Sequence, residues 1–375
     1  MNTFQKFIQY YKPYKKVFIF DLICAAFISL VDLAYPQILR SLTKTLFLKD
    51  ASTILKTLPV IGGILFICYV FQAFCKYYVS CQGHIMGAQM ERDMRRKLFD
   101  HYENLSFSYY DQHNTGQMMS RLVSDLFDIS EAAHHGPENL FISLVKIVGS
   151  FIFLFIIQWK LAIILLVIVL LMIFFSAKQN RRMQATFLDN RRKIGDINAS
   201  LQDSLSGIRI VQSFANEDIE REKFHLGNEA FLDSKRDNYH AMGSFQSGNT
   251  FFQGMMYLVT LLAGGYFIAL GQMSAADLAM YALYIGIFIS PIQILVELTE
   301  MIQKGMSGFI RYQAIIDIEP EITDCVDAVD MKHPDGDICY HDVSFSYEDN
   351  EIVLNQGKTW VCIIPTKDFG QTEIN

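Results

Sequence analysis

Residues 140–177 read LFISLVKIVGSFIFLFIIQWKLAIILLVIVLLMIFFSA, two apolar runs (140–157 and 161–177) separated only by Gln158, Trp159 and Lys160. A bilayer core about 30 Å thick needs roughly 17–25 largely apolar helical residues to cross it. Each run meets that length, so the stretch reads as two membrane-crossing helices joined by a tight hairpin. Trp159 sits in the hairpin as an interfacial anchor.

Working outward, four more stretches qualify on the same ground: 17–38 and 58–80 before the hairpin, 251–270 and 278–295 after it. Composition agrees, with 51% hydrophobic and 19% charged residues in 375, where a soluble domain carries about a quarter charged. The expected fold class is therefore an all-α polytopic membrane protein with six transmembrane helices. Asp21 falls early in the first apolar run and no small-residue cleavage pattern follows, so this run reads as a retained span rather than a signal peptide. Seven cysteines form no CxxC pair, and four of them, Cys24, Cys68, Cys75 and Cys81, lie in or beside apolar segments. They read as reduced packing thiols.

The connections are unequal. The last two spans are joined by a short stretch around GQMSAAD, whereas 81–139 and 178–250 are long, polar and patterned as helices. At 1.5 Å per residue each can reach tens of Å past the bilayer. Lys and Arg near span ends stay in the cytoplasm. The first extension carries Arg92, Arg95, Arg96, Lys97 and Arg121, the second carries eleven Lys/Arg, and the N-terminus adds Lys12, Lys15 and Lys16. A multi-pass plasma-membrane protein with both termini and both extensions in the cytoplasm is expected.

The net charge of -7 is concentrated: residues 317–351 hold twelve Asp/Glu against the single basic Lys332. Nothing has the basic footprint of a nucleic-acid binder, so no nucleic-acid partner is expected. The membrane domain is expected to occupy 1–316 and a linker 317–336, with the turn signal HPDG at 333–336. A new domain begins at 337, where ICYHDVSFSY alternates as a strand and EIVLN starts a second.

Three segments then resemble one family, the ABC exporters, whose half-transporters fuse six membrane helices to a C-terminal nucleotide-binding domain. RRKLFDHYENLSFSYYDQHNTGQMMSRLVSDLFDI (95–129) looks like the family's first intracellular loop, SLSGIRIVQSFANEDIEREKF (204–224) like its second, and GDICYHDVSFSYEDNEIVLN (336–355) like the opening strands of its nucleotide-binding domain. The resemblance implies the ABC transporter type 1 transmembrane fold and covers nearly the whole chain. It places coupling helices around Tyr109, Tyr110, Asp111, Thr115 and Gly116, and around Gly207, Ile208, Arg209 and Val211. The two glycines suit such turns because glycine tolerates backbone conformations other residues avoid. It also makes Tyr347 the aromatic residue that stacks on adenine.

The family's ATP site needs a P-loop, G-x-x-x-x-G-K-[ST], whose amides cradle phosphates while Lys neutralises them and the hydroxyl helps hold magnesium. Gly357, Lys358 and Thr359 spell a GKT without the glycine five residues ahead. The segment in the P-loop's place, IPTKDFGQT (364–372), keeps Gly370 and Thr372 but has Gln371 where the lysine belongs. Residues 337–375 therefore read as a truncated start of the nucleotide-binding domain, too short to pack alone. ATP and magnesium serve the intact family, and the chain alone is expected to bind neither productively and to lack ATPase activity.

Five ionisable groups fall in or near the spans: Asp21, Asp32, Lys76, Lys146 and Glu297. Each has two readings, a polar cavity lining or interhelical ion pair and snorkelling near a span end. Asp32, deeper and ahead of the helix-kinking Pro36, is the best cavity candidate, with Asp21 and Glu297 behind it. The His134–His135 pair has no Cys, Asp or Glu at a persuasive ligand spacing, so no metal site is expected. By the resemblance, the chain is the membrane-spanning half of an ATP-driven exporter. It would move a lipid, drug or peptide outward by alternating access, in contact with membrane lipid and a second half-transporter. Homodimer and heterodimer remain alternatives, and function requires a nucleotide-binding domain in trans. A non-transporting remnant or membrane interaction partner is the other functional reading.

Overall fold

The computed structural model describes residues 2–324 and 327–329, and the backbone of 345–346 and 352–354. Within Met1–Glu319, one compact unit, the chain is a succession of helices: α1 (Thr3–Gln9), α2 (Lys15–Ser41), α3 (Ala51–Tyr78), α4 (His84–Glu103), α5 (Phe107–Gln112), α6 (Thr115–Ser120), α7 (Leu126–Ser206), α8 (Ile208–Ser213), α9 (Glu217–Ala269) and α10 (Ala275–Ile316). Side chains set several starts. Asp50 caps α3 by accepting the Thr53 amide at 3.0 Å, and Ser274 with Asp277 forms a reciprocal capping box on α10. Three π-helical turns, Leu42–Leu46, Val79–Gly83 and Arg121–Asp125, interrupt or join the long helices.

Among the described residues, five continuous helical runs are long and apolar enough to cross a membrane. The run containing α7 supplies two passes, because Gln158 breaks the helix with φ -155° and ψ 93°. Contacts with α10 establish the reversal. The Tyr281 hydroxyl donates to the carbonyls of both Leu154 and Gln158 at 2.7 Å. From there α10 runs antiparallel to the first half of α7, ending with Arg311 on Asp125. It runs parallel to the second half, with Asn180 donating to the Val296 carbonyl and Gln184 to Glu300. The two halves of α7 are thus antiparallel, and the turn is a single extended residue where three loop residues were expected. Trp159 is helical and 56% exposed. The α9–α10 turn uses Gly271 at φ +69°, the one positive-φ glycine among the described residues, a conformation that costs glycine little.

The membrane core gathers Phe151, Leu154, Leu165, Met172, Tyr281, Tyr284 and Phe288. A second core, along the first extension, joins Phe7 of α1, Met90, Met94 and Leu98 of α4, Leu126 and Ile129 of α7, and Phe309 and Tyr312 of α10. Outside the bilayer, burial of this kind stabilises by about 25 cal/mol per Å² of apolar area removed from water. Cys24 and Cys75 pack against Val79, and the described cysteines are free thiols.

A second unit starts at Pro320. Within it β1 (Phe345–Ser346) pairs antiparallel with β2 (Ile352–Leu354). Tyr347, Gly370, Gln371, Thr372 and the expectation about packing across 337–375 lie outside the described residues.

Candidate functional site

Each long extension is a helical hairpin that turns through short helices. In the first, α4 leads into α5 and α6, and Asn114 caps α6 by accepting the Gly116 amide at 2.7 Å. Tyr109 stacks on His113 with ring centroids 4.0 Å apart, while Tyr110, Asp111, Thr115 and Gly116 are exposed. In the second, α7 ends at Ser206, Gly207 separates it from α8, and Ala215 at φ 50° turns the chain into α9. Ile208 and Arg209 are exposed there, with Gly207 and Val211 half-buried.

The glycines at these turns act through space rather than through backbone freedom, correcting the expectation above. Gly207 has φ -89°, and neither it nor Gly116 adopts positive φ. A Cβ at Gly116 would lie 3.2 Å from the Asn114 cap oxygen, and one at Gly207 3.2 Å from the Asp203 carbonyl. Both tips also present large apolar side chains that nothing in the unit covers: Phe107 is 88% exposed on the first, and Ile210 and Phe214 are 66% and 74% exposed on the second.

Behind the first tip the hairpin is locked to α10. Arg311 grips Asp125 with two hydrogen bonds, Nε to Oδ2 at 2.8 Å and Nη2 to Oδ1 at 2.6 Å, and Arg121 adds a third at 3.0 Å. Burial pushes the Asp125 carboxyl up, but Arg311 and Arg121 outweigh it and hold the group below its ordinary range. Beside this pair, Gly305 and Gly308 let the helices touch. A Cβ at Gly305 would lie 2.3 Å from the Ala132 Cβ, and one at Gly308 3.0 Å from the Asp125 carbonyl.

In the spans, Asp32 accepts from Lys146 at 2.7 Å and from Gln72 at 2.8 Å, tying α2, α3 and α7 together. It also lines a cavity of about 200 Å³ with Tyr35, Pro36, Tyr69, Leu283 and Ile287. Neither Asp21 nor Glu297 joins that lining. Glu297 and Lys76 are exposed. Asp21 is 1% exposed with Oδ1 unpartnered, so it is buried rather than snorkelling. At the short-loop end Arg40 and Lys44 each contact Asp277 at 2.6 Å.

Two larger cavities escaped the sequence reading. One, of about 590 Å³, lies among the second half of α7, α9 and α10 and mixes Phe187, Leu188 and Met242 with Arg191, Glu300 and Lys304. The other, of about 720 Å³, shares Gln184 and Gln303 with it and continues along α10 through Thr299 to Ile292. Together they make an amphipathic groove running from the extension toward the spans. Its lining alternates along three helices distant in sequence, so no single stretch displays it.

The description "ABC transporter transmembrane region" matches residues 18–292. An uncharacterized ABC transporter ATP-binding protein of Bacillus subtilis is 36% identical over 94% of this chain and 60% of its own length. An ATP-dependent lipid A-core flippase of Syntrophus aciditrophicus is 22% identical over 95% of this chain and 59% of its own. A putative multidrug export ATP-binding/permease protein of Bacillus subtilis is 24% identical over 95% and 62%. The chain thus spans about three fifths of the length of these relatives. Six membrane passes, two helical extensions ending in short exposed helices and this match over most of the residues converge: the chain belongs to the ABC transporter transmembrane family.

Proposed function

We propose that the chain forms the membrane half of an ATP-driven exporter. In this reading two such halves, alike or different, enclose a translocation path, and ATP-binding domains docked on the extension tips switch it. The observation that carries the proposal is the pair of tips. Phe107, Ile210 and Phe214 stand exposed on or beside six-residue helices, and apolar side chains grouped this way mark an interaction surface. Tyr109, Tyr110, Asp111, Thr115 and Gly116 on one tip, and Gly207, Ile208, Arg209 and Val211 on the other, are then the coupling residues. The Lys/Arg excess in 81–139 and 178–250 supports a plasma-membrane protein with both termini and both extensions cytoplasmic.

ATP and magnesium act in the docked domains. Gln371 offers an amide dipole where a phosphate cradle needs a charge, so residues 364–372 do not fit the phosphates and no step runs through them. The substrate is an amphipathic molecule, lipid or drug, since the groove along α10 sets Phe187 and Leu188 beside Arg191 and Lys304. The relatives' names, a lipid A-core flippase and a multidrug exporter, support that class.

The test joins the chain at Asp337 to the complete ATP-binding domain of its 36%-identical relative and reconstitutes the product in vesicles. ATP turnover that rises with an amphipathic drug or fluorescent lipid, together with ATP-dependent movement of that probe, is the expected result. Replacing Ile210 and Phe214 by serine should abolish the stimulation. A folded fusion that hydrolyses ATP yet moves neither probe would favour a membrane interaction partner without transport, the reading to which Gln371 lends weight.

A further inference from the structure

Where the first extension leaves the membrane and returns to it, three imidazoles converge. His84 opens α4, immediately after the π turn Val79–Gly83, and His134 and His135 lie on α7 before the third span. Their ring centroids are 4.6 Å (His84–His134), 4.9 Å (His84–His135) and 4.6 Å (His134–His135) apart. Glu138, one turn beyond His134, places Oε2 3.5 Å from His134 Nε2 and 4.0 Å from His135 Nδ1. An expectation from sequence is corrected here. Carboxylates do stand at helical ligand spacing, Glu138 four residues after His134 and Glu131 four before His135.

A tetrahedral zinc with bonds of about 2.0–2.1 Å to nitrogen and oxygen keeps its donor atoms roughly 3.4 Å apart and its imidazole centroids roughly 5 Å apart. The imidazole centroids lie close to that spacing, and the donor atoms of His84, His134 and His135 lie within 4.8 Å of one another. A second observation points to a ligand. His134 is 3% exposed and both its ring nitrogens lack hydrogen-bond partners, as does Oδ1 of the adjacent, equally buried Asp21. Leaving such groups unpaired costs about 1–3 kcal/mol each, and an ion is one of the few occupants that would satisfy them. Asp21 also shares with His134 and Glu138 a set of donor atoms lying within 4.8 Å of one another.

The surroundings suit a cation. Asp21 of α2 and Glu131 and Glu138 of α7 face the cluster, and Lys76 of α3 is the opposing charge. With His135 Nδ1 turned to the ion, its Nε2 lies 3.7 Å from Glu131, the outer carboxylate that commonly orients a metal-bound histidine. Gly83 makes the approach of His134 feasible, because a Cβ there would lie 2.1 Å from the His134 Cε1.

We propose that His84, His134, His135 and Glu138 bind one divalent transition-metal ion of the zinc class, oriented by Glu131 and with Asp21 adding charge. The ion would cross-link the two ends of the first extension at its root. This site is independent of the transport reading, since it requires neither ATP nor substrate.

The test uses the whole chain in lipid nanodiscs, stripped with chelator and titrated with zinc by calorimetry and with cobalt(II) by visible absorption. One ion per chain and the intense visible bands of four-coordinate cobalt are expected. His84→Ala, at an exposed position, should weaken binding more than about tenfold while leaving the metal-free chain's helical melting unchanged. Gly83→Ala should weaken it similarly by displacing His134, and His240→Ala on the exposed face of α9 should leave it intact. Absence of stoichiometric binding at micromolar zinc, or binding that survives joint removal of His84 and His135, would overturn the proposal.

Discussion

The shaft and the tip of the first extension are built on opposite principles. Along the shaft, glycines bring α10 against α7 within contact of backbone, a buried carboxylate is held by two arginines, and aromatic and aliphatic side chains close the core. At the tip, the helices are six residues long, the side-chain bonds are local ones such as the Asn114 cap, Tyr110 on the Tyr102 carbonyl and His113 on the Tyr109 carbonyl, and Phe107 is exposed to solvent. Under the proposed function this division suits a lever. A stiff shaft transmits displacement with little loss, while an unfilled end surface leaves interaction free energy to be gained on docking.

The sharpest way to break the contrast is at the shaft. Gly305→Val sets branched carbons where a single Cβ already lies 2.3 Å from Ala132 and 2.9 Å from the Asp128 carbonyl. We expect a loss of about 3 kcal/mol, seen as a large fall in the detergent melting temperature. Asp125→Ala strands Arg311 and Arg121, both partly solvated, so about 2 kcal/mol is expected. The pH dependence has a defined sign. The folded-state pKa of Asp125 is depressed, so its contribution is present above the ordinary carboxylate value of about 3.9 and is lost as pH falls through the folded value. Melting curves of the parent and Asp125→Asn should therefore converge in acid.

Next comes the span hairpin. Tyr281→Phe removes the hydroxyl that bridges the Leu154 and Gln158 carbonyls, at about 1 kcal/mol. Smallest should be the tips. Phe107→Ser with Phe214→Ser is expected to change the chain's own stability by no more than about 0.5 kcal/mol, yet to abolish co-purification with an added ATP-binding domain. A large destabilisation there would erase the distinction between shaft and surface.

The spans were legible because crossing a bilayer is a property of local composition, and 140–177 displays it without help from tertiary contacts. The motif resemblance points to turns around 109–116 and 207–211, where the structure has short helices, but it does not show the tight 3.2 Å approach a Cβ would make to Asn114 or Asp203, which exists only after folding. Gln158 was read as one of three loop residues. Its neighbours stay helical because Tyr281, over a hundred residues away, satisfies the carbonyls that the turn frees. The histidine cluster was missed for a related reason. His84 is separated from His134 by the whole first extension. The groove along α10 had no local signal at all.

The π turns have a consequence of their own. Each squeezes one more residue into a turn than an α-helix would, and each residue of an α-helix advances the side-chain direction by about 100°. Val79–Gly83 is thus a phase shifter between the third helix and the fourth. Deleting one residue there would relax it to a plain α turn with α4 still in register, whereas forcing the same residues into plain α geometry would swing His84 and every later side chain of α4 about 100° around the axis. Met90, Met94 and Leu98 would leave their places opposite α7 and α10, and the extension would have to rebuild its core in a different register.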